Sequence, residues 1–335
     1  MTTTFDTELA PGARNAIRVC LNVQPSERVT VIADRECEDI AASLIAEIEQ
    51  VGAPYQVFIL EDVAPRPLDD LPAVIAADME KSQVSILAVH VQRNELKSRM
   101  QLTDIVNRRR MRHGHMVNIN RQMMLEGMRA DFHKVDRLST KVIDIVRGAK
   151  EVRATTKGGS HFTATLNPAY RWIKTSGLIS PDKWGNLPGG EVFTTPGDVN
   201  GTLVIDGVVG DFLCEKYGSL AATPLTLVVK DNRLVSATSD NKELEADFWN
   251  YTHTDENSDR VGEFALGTNI ELKSVIGHIL QDEKFPGIHI AFGNPYGVHT
   301  GADWFSATHI DVVATRFDIW VDGRQIMEDG KFLIE

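Results

Sequence analysis

The stretch from Gly287 to Gly323, which decides the fold of the second half of this chain, reads G-I-H-I-A-F-G-N-P-Y-G-V-H-T-G-A-D-W-F-S-A-T-H-I-D-V-V-A-T-R-F-D-I-W-V-D-G. Two apolar runs within it, Ile288–Phe292 and Ile310–Val313, predict β-strands. The segment between them is rich in Gly, Asn, Pro and Thr and predicts a loop. The stretch therefore reads as two neighbouring strands joined by a loop.

Four polar side chains fall on this unit. His289 lies inside the first apolar run, His309 and Asp311 are two residues apart in the second, and Tyr296 lies in the loop. Residues two apart on a strand point to the same face, so His309 and Asp311 are expected to lie side by side. Two imidazoles, a carboxylate and a phenol suit a divalent metal with nitrogen and oxygen ligands. Two plainer interpretations stay open: a hydrogen-bonded core histidine and a structural His–Asp hydrogen bond.

Length, charge and cysteine content limit the number of domains, the kinds of partner and the location that can be expected. The chain has 335 residues, 42% of them hydrophobic, and a formal net charge of −12. A length of this kind allows two domains, and the negative charge disfavours nucleic acid and anionic membranes as partners. The three cysteines, Cys20, Cys37 and Cys214, have no spacing typical of a disulfide framework or a thiolate metal site, and they favour a cytoplasmic location.

The first half predicts an α/β domain over residues 1–146. Short apolar runs that read as strands alternate with amphipathic segments that read as helices, which favours a mainly parallel sheet covered by helices. The predicted strands are Arg28–Ala33, Tyr55–Leu60, Val84–Val89 and His115–Asn120. The predicted helices between them are Glu38–Val51, Leu71–Met79 and Arg99–Arg112. No G-x-G-x-x-G or P-loop motif follows any of these strands, so this domain is interpreted as a scaffold without a nucleotide site.

The second half, residues 147–335, predicts an α+β domain with antiparallel strands that carries the metal site. Its strands are short and are separated by turn residues, beginning with a hairpin around Lys157-Gly158-Gly159-Ser160. The predicted strands upstream of the opening stretch are Glu151–Thr156, His161–Leu166, Gly201–Ile205, Leu225–Lys230 and Arg233–Thr238.

Two glutamates upstream add carboxylates to the candidate site. Glu191 lies in N-L-P-G-G-E-V-F-T-T-P, and Glu263 lies in V-G-E-F-A-L-G. A carboxylate in a short apolar strand is costly to bury without a neutralising partner. A divalent cation is one such partner, and an arginine such as Arg260 or Arg316 is the structural alternative for Glu263.

Taken together, four segments resemble the thermophilic metalloaminopeptidase family that includes aminopeptidases T and S and is leucyl aminopeptidase-like. They are N-L-P-G-G-E-V-F-T-T-P, V-G-E-F-A-L-G, G-I-H-I-A-F-G-N-P-Y and T-H-I-D-V-V followed by V-D-G, in the order of the family. The resemblance implies a pair of co-catalytic divalent metals and a homodimer. It also implies the metal ligands Glu191, Glu263, His289, His309 and Asp311, with Tyr296 as the active-site tyrosine. One departure is Gly190, which stands where the family usually has a second glutamate.

A related branch implied by the same resemblance is the 2,5-dihydroxypyridine 5,6-dioxygenases, which hold one ferrous iron with two His and one Asp. The pair His309 and Asp311 fits that set as well. The presence of Glu191 and Glu263 favours a dinuclear hydrolase with Zn²⁺, Co²⁺ or Mn²⁺. We therefore predict an aminopeptidase acting on short peptides or a small amide through a metal-bound hydroxide, with Tyr296 and Glu191 as catalytic residues. The alternative is an Fe(II)-dependent ring-cleaving dioxygenase.

Overall fold

The computed structural model describes residues 5–92, 94–210 and 212–334. The α-helices are α1 (Ala10–Arg14), α2 (Glu38–Val51), α3 (Leu60–Val63), α4 (Ala73–Met79), α5 (Leu96–Arg109), α6 (Arg121–Leu125), α7 (Phe132–Val146), α8 (Phe212–Tyr217), α9 (Lys242–Tyr251), α10 (Ile279–Asp282) and α11 (Gly297–Thr300). A π-helical segment, Asn15–Cys20, continues α1, and 3₁₀ turns lie at Thr7–Leu9 and Gly127–Arg129.

The first group of strands is β1 (Val29–Ala33), β2 (Tyr55–Ile59), β3 (Val84–Val89), β4 (Arg112–Val117), β5 (Glu151–Thr156), β6 (His161–Leu166), β7 (Ile173–Thr175), β8 (Gly185–Asn186) and β9 (Glu191–Thr194). The second group is β10 (Pro196–Ile205), β11 (Leu225–Lys230), β12 (Arg233–Thr238), β13 (Val261–Gly267), β14 (Gly287–Gly293), β15 (His309–Val313), β16 (Phe317–Val321), β17 (Arg324–Glu328) and β18 (Lys331–Phe332).

The chain divides into two compact units. The first runs to His133 and includes Gly177–Gly189, and the second comprises Lys134–Ser176 and everything from Gly190 onward. The sequence placed the division at 146, after α7. From Lys134 on, that helix belongs to the second unit because its apolar face, including Leu138 and Val142, packs into the core of that unit.

The first unit contains the predicted parallel sheet, with strand order β2-β1-β3-β4-β8. All four pairings are parallel. Strands β1 and β3 are buried along their whole length, as expected when helices cover both faces of a sheet. The α/β fold predicted for this half is confirmed, with β3 and α2 at the predicted residues.

Several bounds in the first unit differ from the sequence prediction by one to three residues, most of all those of α5 and β4. Helix α5 ends at Arg109, three residues before the predicted end, because Arg110 takes a left-handed conformation at φ +52°. Strand β4 consequently begins at Arg112 instead of His115 and pairs along the length of β3. A left-handed arginine carries no sequence signal comparable to that of glycine, since non-glycine residues rarely adopt this conformation.

The carboxyl edge of the parallel sheet holds an ion-pair network. In sheets of this strand order, ligands bind between the ends of β1 and β3, where the order reverses. Here Asp34 follows β1, and its carboxylate accepts hydrogen bonds from the backbone of His90 and, at 2.9 Å, from the guanidinium of Arg66. Arg66 also pairs with Glu95, and all three charged side chains are at most 4% exposed. The buried charges at this edge therefore pair with one another.

The second unit contains two antiparallel sheets. One has the order β12-β11-β10-β6-β5-β16-β17-β18, and the other, called the site sheet below, has the order β15-β14-β13-β9-β7. Apolar side chains of both sheets form one core, which includes Phe162, Leu203, Phe264 and Ile290. The predicted α+β character of this half is confirmed. Within the described ranges, no helix has the length and apolar character needed to cross a bilayer.

Candidate metal centre

One face of the site sheet carries the polar residues singled out in the sequence. Along β14, Ile288, Ile290 and Phe292 point into the core, so His289 and Ala291 point to the opposite face. The same alternation sends Glu263 of β13 away from Phe264, which is part of the core. The predicted strand pattern therefore accounts for which face each candidate ligand occupies.

Strand register brings these side chains together. Glu263, Ala291 and Asp311 lie opposite one another on three adjacent strands, and His309 is paired with Gly293 on the next row of the same face. His289 is paired with Ala265, which lies two residues after Glu263 on β13. Small residues between the polar ones leave room on this face for the larger side chains to converge.

Glu191 joins the group from β9, where it is paired with Gly267 of β13 and Thr175 of β7. The Thr175 hydroxyl donates a hydrogen bond to Oε1 of Glu191 at 2.8 Å. The other oxygen, Oε2, lies 3.5 Å from Nε2 of His289. Threonine and the strand register thus aim one oxygen of this carboxylate at the imidazole.

Glu263 occupies the middle of the cluster. Its Oε1 lies 3.3 Å from Nε2 of His289, and its Oε2 lies 3.7 Å from Nε2 of His309. His309 Nε2 is in turn 3.5 Å from Oδ1 of Asp311. Each oxygen of Glu263 therefore faces a different imidazole. Arg260, one of the two arginines considered from the sequence as a structural partner, instead lies over the ring of Trp304 at 3.6 Å.

The side chains predicted from the sequence form two adjoining positions with three candidate ligands each. Glu191, Glu263 and His289 form the first, and Glu263, His309 and Asp311 form the second. In each group one ligand atom per residue lies within 4.8 Å of the others. Carboxylate and imidazole ligands without thiolate suit Zn²⁺, Co²⁺, Mn²⁺ or Fe²⁺.

The two imidazoles fit a metal. His309 Nδ1 lies 2.9 Å from the carbonyl oxygen of Asn294, so it donates its hydrogen there, and in the neutral ring the lone pair of Nε2 then faces the carboxylates. His289 is 2% exposed, and its Nε2 makes no well-aligned hydrogen bond to the described residues, although oxygens of Glu263 and Glu191 lie 3.3 Å and 3.5 Å away. A buried nitrogen without such a bond is costly, and a cation between it and the carboxylates removes that cost.

The pKa values show how strongly these groups interact without a cation. Burial raises the pKa of Glu263. Burial opposes protonation of His309, yet the negative charges of Asp311 and Glu263 raise its pKa to about 10. Burial also acts to raise the pKa of Asp311, but the charge of His309 brings it below its ordinary value. Proton and divalent cation therefore compete for the same place beside His309.

Tyr296 lies at the rim of this face. Its backbone is left-handed, at φ +49°, and precedes helix α11. Its ring centroid is 4.4 Å from that of His309 and 6.4 Å from that of Phe193. The structure thus brings all six residues predicted from the sequence to one face of the site sheet.

Two residues of the cluster were missed in the sequence. Glu283 offers an oxygen within 4.8 Å of ligand atoms of His289 and Asp311, and Lys284 is completely buried with Nζ 2.7 Å from Oε1 of Glu191. Lys284 Nζ also pairs with the Glu283 carboxylate. The run Q-D-E-K that contains them resembles an exposed polar turn, so its composition gave no signal.

Comparison with known proteins defines the class. Residues 120–331, more than half of the chain, match the family described as Thermophilic metalloprotease (M29). The chain belongs to this family, and it is accordingly a metal-dependent enzyme of the hydrolase class whose family acts on peptides. The family resemblance predicted from the four sequence segments is confirmed.

Two solved structures share the fold. AmpT from Thermus thermophilus superposes with a TM-score of 0.72 at 17% identity, covering 99% of this chain and 100% of its own. The 2,5-dihydroxypyridine dioxygenase from Pseudomonas putida superposes with a TM-score of 0.69 at 14% identity, covering 98% of this chain and 97% of its own. No curated protein matches the sequence. At these identities, the two structures establish the fold alone.

Proposed function

We propose that this protein is an aminopeptidase that removes the N-terminal residue from short peptides, or cleaves a similar small amide, with two divalent cations. The observation that carries the proposal is the position of Glu263, which presents one oxygen to His289 and the other to His309. A carboxylate placed in this way is suited to serve two adjoining cations. Membership in a metalloprotease family supports the same class of reaction.

The candidate ligands fall into two sets, one for each cation. Glu191, Glu263 and His289 would hold one cation, and Glu263, His309 and Asp311 the other. When bound, such cations supply a water of lowered pKa and polarise the scissile carbonyl.

Other groups orient this set. The carbonyl of Asn294 fixes the ring of His309, and Thr175 fixes Glu191, so that each side chain presents its free atom to the cluster. Tyr296, beside His309, would donate a hydrogen bond to the oxyanion that develops on the substrate.

The test is metal content together with anaerobic activity. The purified protein, stripped of metal and reconstituted with Co²⁺ or Zn²⁺, is expected to take up two ions per chain and to cleave dipeptides or aminoacyl amides without O₂. Replacement of Glu191 by Ala should abolish that cleavage. Binding of two ions with no cleavage of any dipeptide or aminoacyl amide would contradict the proposed reaction.

The donor set also supports a second candidate, an Fe(II)-dependent ring-cleaving dioxygenase. Mononuclear iron oxygenases use two imidazoles and one carboxylate. His309 and Asp311 lie side by side and fit two of these three ligands, and His289 lies on the other side of Glu263. Glu191 and Glu263 point to the same cluster and add carboxylates that such a site does not need. Oxygen uptake with dihydroxypyridines after reconstitution with Fe²⁺ alone, at one iron per chain and without peptide cleavage, would favour this candidate.

We also propose a homodimer, which rests on the family resemblance. Light scattering at low salt should then give about twice the mass of one chain, and a monomer at working concentration would contradict it. A cytoplasmic location is proposed from the three cysteines, which form no disulfide with one another. Cell fractionation tests that location directly.

A further inference from the structure

The turn before β14 carries two charged side chains that the proposed function leaves unused, Glu283 and Lys284. Its backbone is held firmly. The Asp282 carboxylate, which is completely buried, accepts hydrogen bonds from the backbone N–H groups of Ile276, Gly277 and His278 at 2.8–2.9 Å. The carbonyl of Lys284 accepts a further hydrogen bond from Asn269 N at 3.0 Å. The side chains that follow Asp282 are therefore placed by a fixed backbone.

This turn also lies directly against the site sheet. A Cβ at Gly267, the strand partner of Glu191, would come within 2.0 Å of the carbonyl oxygen of Phe285. Only a residue without a side chain allows the turn to approach β13 so closely. The approach brings Glu283 and Lys284 to the cluster of metal-ligating groups.

Charge shows that Glu283 does more than neutralise Lys284. The ammonium of Lys284 already pairs with Glu191 at 2.7 Å, which would suffice for one buried cation. Glu263, Glu283 and Asp311 add to this, so that four largely buried carboxylates face one ammonium. When all four carboxylates are ionised and the imidazoles are neutral, as cation binding requires, the formal charge is −3. One divalent cation leaves this charge at −1, whereas two divalent cations with one hydroxide bring it to zero. A buried excess of negative charge requires such compensation.

Glu283 lies close to residues of both three-ligand positions. Its ligand oxygen lies within 4.8 Å of His289, which belongs to the first three-ligand position, and of Asp311, which belongs to the second. Lys284 contacts one oxygen of Glu283 and one of Glu191, which leaves the second oxygen of each carboxylate for a cation. The buried Nε2 of His289 points into the same cluster, where carboxylate oxygens lie 3.3 Å and 3.5 Å away and none of the described residues forms a well-aligned hydrogen bond with it.

We propose that Glu283 is a further metal ligand of this centre and that Lys284 is a positioning residue that holds Glu191 and Glu283 toward the metal. The proposal rests on the proposed function, since it concerns the same metal centre. In this arrangement Lys284 supplies one fixed positive charge and limits both carboxylates to one free oxygen each. The centre then has six ligand residues, and Glu283 comes from a turn outside the strands.

The test measures metal binding and needs no activity. Metal-free wild-type protein, Glu283→Gln and a control, Glu271→Gln, are titrated with Zn²⁺ against a chromophoric chelator. Glu271 pairs with Lys134 at 3.1 Å and lies outside the cluster, so its variant makes the same chemical change elsewhere in the same unit. Glu283→Gln is expected to weaken at least one of the two Zn²⁺ sites by about 10-fold or more, and to alter the Co²⁺ absorption spectrum. Unchanged affinity at both sites would overturn the proposal.

The double variant Glu283→Gln/Lys284→Met separates a ligand from a counterion. It removes one charge of each sign, so folding is expected even where Glu283→Gln alone is unstable. If Glu283 is a ligand, the double variant, like Glu283→Gln, binds Zn²⁺ more weakly than the wild type does. If Glu283 only neutralises Lys284, the double variant binds Zn²⁺ as the wild type does, and the proposal fails.

Lys284→Met tests the positioning role. Without its ammonium, Glu191 and Glu283 repel each other until a cation binds, so addition of Zn²⁺ should raise the Tm of this variant more than that of the wild type. An equal rise would contradict the role of Lys284. Wild-type protein that binds no divalent cation would instead overturn the proposed function itself, so the two failures are distinguishable.

Discussion

The carbonyl oxygen of Asn294 accepts a hydrogen bond from Nδ1 of His309 at 2.9 Å, and this contact fixes which ring nitrogen is available to the cluster. Asn294 belongs to the N-P-Y segment that follows β14, while His309 begins β15. The loop between the strands thus does more than connect them, because its backbone orients a candidate metal ligand. A carbonyl behind a metal-binding imidazole also increases the basicity of the ring.

The same histidine contributes to the pH dependence of stability in the metal-free protein. Its pKa is raised to about 10 by Asp311 and Glu263, against about 6.5 in an unfolded chain. A group whose pKa is higher in the folded state stabilises that state below its unfolded pKa, and the contribution is lost as the pH rises through the folded pKa. Urea unfolding without metal should therefore show a falling free energy of unfolding between pH 6.5 and 10.

His309→Gln should flatten that decline, and saturating Zn²⁺ should remove it, because the cation replaces the proton. His253→Gln is a suitable control, since His253 is exposed and stacks on Trp249 at 4.1 Å, away from the cluster. A decline that persists unchanged in His309→Gln would show that another group causes it.

Glu263 and Asp311 should differ in how many cations depend on them. Glu263 faces both imidazoles, whereas Asp311 contacts only His309 among them. Glu263→Gln should therefore weaken both cations and abolish peptide cleavage, while Asp311→Asn should weaken mainly one. Metal analysis after dialysis against a fixed free Zn²⁺ concentration measures this. A Glu263→Gln variant that keeps both ions but loses thermal stability would show that its carboxylate is only structural.

Several parts of the fold could be predicted from local sequence because local sequence determines them. Strand β3 is apolar except for Ser85, helix α2 is followed by Gly52 in a left-handed conformation, and both elements have the predicted bounds. The candidate ligands on β13–β15 could be proposed because polar residues in apolar strands are unusual and because their segments resemble those of a known family. Their convergence depends on strand register. The sequence predicted which face of each strand a side chain occupies, but not which residues of neighbouring strands lie opposite one another.

Glu283 and Lys284 could not be predicted for a physical reason. Their burial depends on the approach of their backbone to Gly267, a residue sixteen positions before Glu283 on another strand. Nothing in Q-D-E-K itself indicates this approach, since charged residues in a turn are ordinarily solvated. The burial of these two residues depends on Gly267, and the role of that glycine is apparent only from the pairing of β13 with its neighbours.

Gly267 should therefore be intolerant of a side chain. A Cβ there would lie 2.0 Å from the carbonyl oxygen of Phe285, so the turn must move in Gly267→Ala. We expect a loss of about 1–3 kcal/mol in the free energy of unfolding, and weaker Zn²⁺ binding because Lys284 and Glu283 move with the turn. Gly148→Ala is the control, as nothing lies within 4 Å of a Cβ at that position. Equal behaviour of the two variants would refute the close approach.

Tyr296 provides the test of the reaction itself. Its ring is 4.4 Å from that of His309, and its left-handed backbone is held by a hydrogen bond from its N–H to Oδ1 of Asn294 at 2.9 Å. If its phenol donates a hydrogen bond to the developing oxyanion, Tyr296→Phe should lower kcat by about 10²–10³. KM should change little because that bond strengthens only in the transition state.

Metal content should stay at the wild-type value, since the ring contacts that hold Tyr296 against His309 and Phe193 are kept in phenylalanine. Tyr170→Phe is the matched control: Tyr170 is also a loop tyrosine of this unit, and its ring packs at 6.4 Å against Trp304 instead of against His309. Steady-state kinetics on aminoacyl amides with each variant would measure the difference. A Tyr296→Phe enzyme with unchanged kcat would assign the tyrosine to packing, and the oxyanion would then depend on the cations alone.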